Sequence, residues 1–207
     1  MINSYFDKIY CINLDRRPDK WAISEAEFRK HGLAVERFPG VDGQMLNAKT
    51  IVDGGNRGCS LSHVGVLRDI IARGYERVLV LEDDVEFIPN VQEYFDNNVR
   101  HIPAQWDMLY LGGNHLETPV PINEAISRIT RTYTTSHYAI TKKMAETVVN
   151  SVEDVNADVV DVVYSMFHRK SQSFTFNPSI AWQRAGISDI HGVFADYTSF
   201  MKPKNIK

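Results

Sequence analysis

Apolar residues in this chain form short continuous runs that alternate with helical repeats. The first run, KIYCINL (residues 8–14), is typical of a β-strand that is buried on both faces. A charged turn follows, and Pro18 fits the first turn of a helix that ends near Gly32. A second strand, AVERFPG (residues 34–40), completes a strand–helix–strand unit, which predicts a parallel sheet.

The middle of the chain continues this alternation. Residues 41–56 contain three glycines and are predicted to form a loop. The segment GCSLSHVGVLRDIIARG carries apolar residues at helical spacing, so it is predicted to form an amphipathic helix that ends at Gly74. The strand RVLVL comes next, and a helix is predicted over residues 89–100.

The second half adds β-rich segments to the pattern. Gly and Pro in GGNHLETPVPINEA predict a flexible or lid-like stretch after the strand DMLYLG. The remaining predicted elements are the β-rich RITRTYTTSHYAIT, the helices KKMAETVVNSV and ADVVDVVYSMFHRK, and the extended SQSFTFNPSIAWQ. The sequence therefore predicts an α/β fold with a mostly parallel central sheet, flanking helices and added antiparallel strands.

Composition sets the class of protein. A chain of 207 residues with 43% hydrophobic and 24% charged residues is predicted to be a single domain over residues 1–207. Its net charge of -3 is spread without basic clusters, which argues against a nucleic-acid partner. Cys11 is predicted to be a buried thiol, and neither it nor Cys59 has the spacing of a zinc site.

The sequence also suggests a compartment. The sequence contains no secretory signal and no transmembrane segment, which predicts a cytoplasmic protein. A lumenal protein whose leader had been removed would look the same and is the alternative. The basic stretch MKPKNIK leaves peripheral contact with a membrane surface open as an alternative.

Three acids gather at the end of one predicted strand, in VLVLEDDVEF. Because strand side chains alternate, Glu82 and Asp84 are expected on one side of the strand and Asp83 on the other. Carboxylate oxygens suit Mg²⁺ or Mn²⁺, so the pair could form half of a metal site. Acids that only cap the next segment in water are the alternative.

A cationic turn, NLDRRPD, follows the first predicted strand. Asn13 could hydrogen-bond a base or ribose, and Arg16 and Arg17 could neutralise a phosphate. A solvated helix start is the alternative. A nucleotide diphosphate bridged by a metal would need both this turn and the acidic one at the same edge of the sheet.

Five segments together resemble glycosyltransferase family 25: CINLDRRPDKW, RGCSLSHVGVLRDI, VLVLEDDV, SHYAITKKMAE and NPSIAWQRAGISDI. The family includes bacterial lipooligosaccharide and collagen β-galactosyltransferases, and the resemblance runs from about Tyr10 to Ile190. It implies a GT-A type nucleotide-sugar-binding fold, a UDP-sugar donor, usually UDP-galactose, and inversion at the anomeric carbon. It also implies dependence on Mn²⁺, with Mg²⁺ as an alternative, and transfer of a hexose to a hydroxyl of a glycan or glycoprotein.

The resemblance also assigns roles to residues. The residues that it places at the donor are Ile12, Asn13, Leu14, Arg16, Ser62, His63 and Asp83. The metal ligands would be Asp84 and Glu82, with His191 as a candidate third ligand. His63 could instead be a helix-packed histidine, and His191 an exposed loop histidine. His137 could contact the acceptor, but pairing within its β segment is favoured.

An inverting transfer needs a base that takes the proton of the acceptor hydroxyl. Asp158 and Asp161 lie three residues apart, hence on one face of a helix, and the resemblance makes them the candidate catalytic acids. Two solvated helix acids are the alternative. Gln183, Ser188 and Asp189 match the late motif of the family.

Two other functions compete with this one. A catalytically inactive sugar-binding or interaction module could keep the same fold, although such a module has no reason to keep clustered acids. A metal-dependent phosphoryl hydrolase also needs acids at strand ends, but it does not explain INLDRR or NPSIAWQ. Acceptor contacts are expected from the loops near residues 41–56 and 112–124.

Overall fold

A computed structural model describes residues 1–152 and 160–203 and builds them around one eight-stranded sheet. The strands are β1 (Lys8–Asn13), β2 (Glu36–Pro39), β3 (Arg77–Glu82), β4 (Val85–Phe87), β5 (Met108–Tyr110), β6 (Asn114–His115), β7 (Val120–Pro121), β8 (Ile126–Arg128), β9 (Thr132–Tyr133), β10 (His137–Thr141), β11 (Ser173–Phe176), β12 (Ala181–Gln183), β13 (Gly186–Ile187) and β14 (Phe194–Ala195). The order in the large sheet is β2-β1-β3-β10-β5-β11-β8-β7.

Parallel pairs dominate one half of this sheet. β1 pairs in parallel with both β2 and β3, and β5 pairs in parallel with β11. β10 lies antiparallel between β3 and β5, and β8 and β7 extend the far edge as antiparallel strands. The arrangement confirms the predicted α/β class, with a mostly parallel sheet and added antiparallel strands.

Helices cover both faces of the sheet. The helices are α1 (Ile2–Tyr5), α2 (Pro18–Lys30), α3 (Ile51–Arg73), α4 (Val91–Asn98), α5 (Lys142–Val152), α6 (Val160–His168) and α7 (Thr198–Met201), with 3-10 turns at Gly43–Met45 and Val99–His101. No helix within residues 1–152 and 160–203 is long and apolar enough to cross a membrane.

The alternation of side chains along β3 divides the core into two layers. Leu79 and Leu81 pack in one apolar cluster with side chains of α2 and α4. Val78 and Val80 point the other way, into a cluster with side chains of α3 and α5. A strand buried on both faces lacks polar alternation, which is why these segments read as continuous apolar runs.

The loop prediction for residues 41–56 is wrong over its last part, where α3 has already begun. Thr50 caps this helix, since its side chain accepts a hydrogen bond from the backbone N–H of Asp53 at 3.1 Å. A Cβ atom on Gly55 would lie 2.7 Å from Cα of Ile190, so the glycine allows a close approach of two backbones. The glycines in this segment therefore reflect packing rather than a flexible loop.

Two other predictions need adjustment. The lid-like stretch over residues 112–125 contains the short strands β6 and β7. The last predicted helix is described from Val160 onwards, so Asp158 lies outside the described residues and its position relative to Asp161 stays a prediction.

Candidate active site

A cleft opens where β1 and β3 end side by side, because parallel neighbours bring their carboxyl ends to one edge of the sheet. We call it the main cleft. The predicted site residues that line it are Ile12, Asn13, Leu14, Arg16, Ser62, His63, Glu82, Asp83 and Asp84. The late-motif residues Gln183, Ser188 and Asp189 line it as well. The structure thus brings the cationic turn, the acidic turn and the late motif together.

The three acids do not alternate as predicted. β3 ends at Glu82, and Asp83 and Asp84 form a turn before β4, so the two-residue period of a strand no longer applies to them. All three carboxylates line the main cleft, and the expectation that Asp83 faces away is wrong. The turn therefore concentrates more negative charge in the cleft than the strand pattern predicted.

Asp84 has a carboxylate oxygen that lacks a partner. Nε2 of Gln183 donates to Oδ2 of Asp84 at 2.8 Å, whereas the buried Oδ1 has no hydrogen-bond partner in the described part of the chain. Burial, followed by repulsion from Glu82, raises the pKa of Asp84 to about 7. An orphaned buried acceptor beside two more carboxylates is a donor set that fits a hard divalent cation.

Glu82 is held by two neighbours. Nε2 of His63 lies 3.2 Å from Oε1 of Glu82, and the hydroxyl of Thr135 donates to the same oxygen at 3.1 Å. Burial alone would raise the pKa of Glu82, but the contacts with His63 and Thr135 outweigh it and the pKa is lowered. Nδ1 of His63 contacts the hydroxyl of Tyr138 at 3.0 Å, which in turn bonds Tyr164. His63 is therefore a buried helix residue whose ring is oriented toward the acidic turn.

Cys59 joins this group, which the sequence analysis did not predict. Ligand atoms of Cys59, His63 and Glu82 all lie within 4.8 Å of one another, close enough to hold one ion. The first two lie one turn apart on α3, so their four-residue spacing was a signal that could have been used. A thiol and an imidazole favour softer ions such as Zn²⁺, whereas Asp84 offers only oxygen. The two ligand sets share Glu82.

The carboxylate of Asp189 contacts three cations, two of which also pair with other acids: Arg16 with Asp42 and Arg17 with Asp19. Asp189 accepts from Nη1 of Arg16 at 2.7 Å and from Nη1 of Arg17 at 2.5 Å, and Nζ of Lys20 lies 2.7 Å away. Burial alone would raise the pKa of Asp189, but the hydrogen bonds from Arg17 and Lys20 lower it to about 2. Lys20, in the first turn of α2, was not predicted.

Asn13 and Ser62, which were predicted to contact the donor, form hydrogen bonds with other residues of the protein. Nδ2 of Asn13 donates to Oδ2 of Asp83 at 2.7 Å, and its Oδ1 accepts from Nε of Arg37 at 2.7 Å. The hydroxyl of Ser62 donates to the Gly58 carbonyl at 2.6 Å and accepts from the backbone N–H of Val41 at 2.8 Å. These contacts shape the walls of the cleft, and direct donor contacts stay a prediction.

A second cavity, which we call the side cavity, lies against the main cleft. The residues that line both are Cys59, Glu82, Gln183, Ser188 and Ile190. Asp161 lines the side cavity, and its buried Oδ1 has no partner within the described residues. Burial, followed by repulsion from Glu82, raises the pKa of Asp161. His191 lies exposed in this cavity rather than in the main cleft, and its role as a metal ligand stays a prediction.

His137 belongs to neither cavity. It is fully buried on β10, where Nδ1 lies 2.7 Å from the Ser136 hydroxyl, and burial lowers its pKa to about 4. This position agrees with pairing inside the β segment, which the sequence analysis favoured.

Comparison with known families decides the class of this protein. A family model described as "Glycosyltransferase family 25 (LPS biosynthesis protein)" matches residues 6–164. The chain belongs to glycosyltransferase family 25. Membership confirms the resemblance seen in the sequence and does not fit the phosphoryl-hydrolase alternative.

Relatives in this family are much longer than the matched stretch. A Glycosyltransferase 25 family member of Drosophila melanogaster is 32% identical over 136 residues, which are 54% of this chain and 22% of the relative. A relative of Homo sapiens named "Inactive glycosyltransferase 25 family member 3" is 32% identical over 129 residues, which are 52% of this chain and 22% of the relative. The chain thus spans about a fifth of the length of these relatives.

The solved structure of A197 supports the fold. The protein A197 from STIV matches with a TM-score of 0.51 at 8% identity, covering 96% of this chain and 95% of that one. A glycosyltransferase involved in glycosylation of the major capsid of PBCV-1 also matches, with a TM-score of 0.43 at 9% identity, and the match covers 78% of this chain and 73% of that one. With its mostly parallel sheet and flanking helices, this family 25 chain has the predicted α/β fold of GT-A type.

Proposed function

We propose that this family 25 glycosyltransferase is a metal-dependent, inverting enzyme that transfers a hexose from a UDP-sugar to a hydroxyl of a glycan or glycoprotein. Galactose is the expected sugar. The observation that carries the proposal is the orphaned Oδ1 of Asp84, which lies beside Glu82 and Asp83 in a cleft whose other wall is cationic. A ligand that carries a diphosphate and a cation matches that division of charge.

The acidic turn would hold the cation. Asp84 and Glu82 are the candidate ligands, and Asp83, bonded to Asn13, lies beside them. Mn²⁺ is the expected ion and Mg²⁺ the alternative, since both prefer carboxylate oxygen. When bound, such an ion neutralises the negative charge that develops on the departing diphosphate.

The cationic turn would bind and orient the diphosphate. Arg16 and Lys20 line the main cleft and carry positive charge toward it. Both now bond Asp189, so a phosphate would compete with that carboxylate for the same groups. Ile12 and Leu14 line the same wall and offer an apolar surface to the uridine.

Asp161 is the candidate base that the structure describes, and Asp158 stays the other candidate. Oδ1 of Asp161 is buried and has no hydrogen-bond partner within the described residues, so it lacks a donor that an acceptor hydroxyl would supply. Its raised pKa favours proton uptake, as a general base requires. The side cavity that contains it shares Glu82 with the main cleft, so the two reacting groups could meet there.

An inactive sugar-binding module is the second candidate function. The support for it is the relative of Homo sapiens that is named inactive and shares 32% identity with this chain. Such a module would bind a nucleotide sugar or its acceptor without releasing UDP.

Release of UDP from a panel of UDP-sugars in Mn²⁺ tests the proposal. Replacing Asp84 with Asn keeps the shape and the bond to Gln183 but removes the charge, so UDP release should fall about 100-fold. Asp15→Asn is the matched control, because the side chain of Asp15 is 81% exposed.

Three outcomes separate the candidates. Loss of UDP release in Asp84→Asn alone, with an unchanged melting temperature, supports the enzyme. Full Mn²⁺-dependent activity of Asp84→Asn would contradict the assignment of the ligand. Binding of a UDP-sugar by the wild type without any turnover would favour the inactive module.

A further inference from the structure

The side cavity has a carboxylate that nothing in the described chain satisfies. Oδ1 of Asp161 is buried and has no hydrogen-bond partner within the described residues. A buried acceptor without a partner is uncommon and calls for a donor from outside the protein. The cavity in front of it is therefore a candidate binding site.

Strain in the backbone supports this interpretation. Thr134 has φ = 99°, a left-handed conformation that is costly for a β-branched residue. Thr134 lines the side cavity, and the hydroxyl of the adjacent Thr135 donates to Glu82 at 3.1 Å. Strain of this kind persists where the surroundings enforce it and is concentrated at functional sites.

The lining of the side cavity differs in charge from that of the main cleft. No Lys or Arg is among its described lining residues, whereas Arg16 and Lys20 line the main cleft. Besides the carboxylates of Glu82 and Asp161, the side cavity offers the amide of Asn114 and the side chains of Tyr133 and Tyr197. Such groups suit a neutral ligand with many hydroxyls and do not suit a phosphate.

We propose that the side cavity is the acceptor subsite and that it binds a neutral sugar ring with one hydroxyl at Oδ1 of Asp161. This assignment rests on the proposed function. In the transfer, the acceptor oxygen bonds to the anomeric carbon, and the bond from that carbon to the phosphate oxygen breaks. The electron pair leaves with UDP, and the hydroxyl proton passes to Asp161.

Saturation-transfer NMR with methyl β-galactoside and methyl β-glucoside tests the assignment, in the presence of UDP and Mn²⁺. Asn114→Ala and Tyr133→Ala each remove a lining group without breaking a side-chain hydrogen bond in the described part of the chain. We expect each to weaken glycoside binding at least fivefold. The exposed residues Asn150 and Phe200 lie outside the lining, so Asn150→Ala and Phe200→Ala are the matched controls.

Binding of UDP to each variant, measured by calorimetry, shows that the variant is folded and separates the two proposals. Glycoside binding that is lost in Asn114→Ala and Tyr133→Ala, but kept in the controls, supports the acceptor subsite. Glycoside binding that persists in both cavity variants would overturn it, as would UDP binding without any glycoside binding. Binding of a hydroxylysine peptide in place of both glycosides would also overturn it, whereas failure of UDP to bind the wild type would overturn the proposed function.

Discussion

Asp189 gives the sharpest prediction about stability, because its carboxylate contacts three cations. Replacing it with Asn removes the charge from the contacts with Arg16, Arg17 and Lys20. The lowering of the pKa of Asp189 from 3.8 to about 2 corresponds to ~2.5 kcal/mol of free energy of unfolding. Its side chain is 18% exposed, so we reduce the expected loss for solvent screening to about 1.5 kcal/mol at neutral pH.

The sign of the pH dependence follows from the direction of the shift. Because the folded pKa lies below the unfolded one, Asp189 stabilises the fold above pH 3.8, and this contribution is lost as the pH falls through about 2. Urea unfolding of the wild type and of Asp189→Asn should therefore differ most at neutral pH and about half as much near pH 3. Asp15→Asn, which removes an exposed ion pair, should change stability little at either pH. A difference between wild type and Asp189→Asn that does not shrink toward pH 3 would refute the reasoning.

Three further changes test the geometry of the two cavities. Thr134→Gly should raise the free energy of unfolding in urea by about 1 kcal/mol, because glycine relieves the strain at φ = 99°; an equal gain in Thr134→Ala would contradict this cause. Gly55→Ala should lower that free energy by about 1–3 kcal/mol, because its Cβ would lie 2.7 Å from a backbone atom, whereas Gly186→Ala has nothing within 4 Å and serves as the control. Tyr138→Phe should lower the free energy of unfolding by about 1–3 kcal/mol, because it leaves Nδ1 of His63 without its partner, and an unchanged melting temperature would argue against that bond.

The sequence predicted those parts of the fold that depend on local pattern. Buried strands such as β1 and β3 appear as apolar runs, and the helix α2 begins at a proline, so their existence and order could be predicted. The start of α3 could not, because Gly54 and Gly55 are poor helix formers that are required by contacts with distant chain segments. A close approach between remote backbones leaves no local signal.

The candidate site was predictable in its location but less so in its internal bonding. The acids and cations could be placed at one sheet edge, because each follows a parallel strand. Two features of the site could not be predicted, because they depend on contacts between segments far apart in the chain. Asp189 is already bonded to the cations of the cleft, and Asn13 is bonded to Asp83 and Arg37. Pairing of charges within a cleft needs the tertiary structure, since several residues compete for each partner.

Glu82 is shared by the main cleft and the side cavity, so a cation bound in the first and a base in the second could act on the same ligand. Its carboxylate lines both cavities and belongs to both candidate ligand sets. Thr135, whose hydroxyl donates to Glu82, lines the side cavity together with Asp161. Gln183, which donates to Asp84, lines both cavities as well, so a change at Asp84 would also reach the side cavity. Shared lining residues of this kind favour one continuous site over two independent ones.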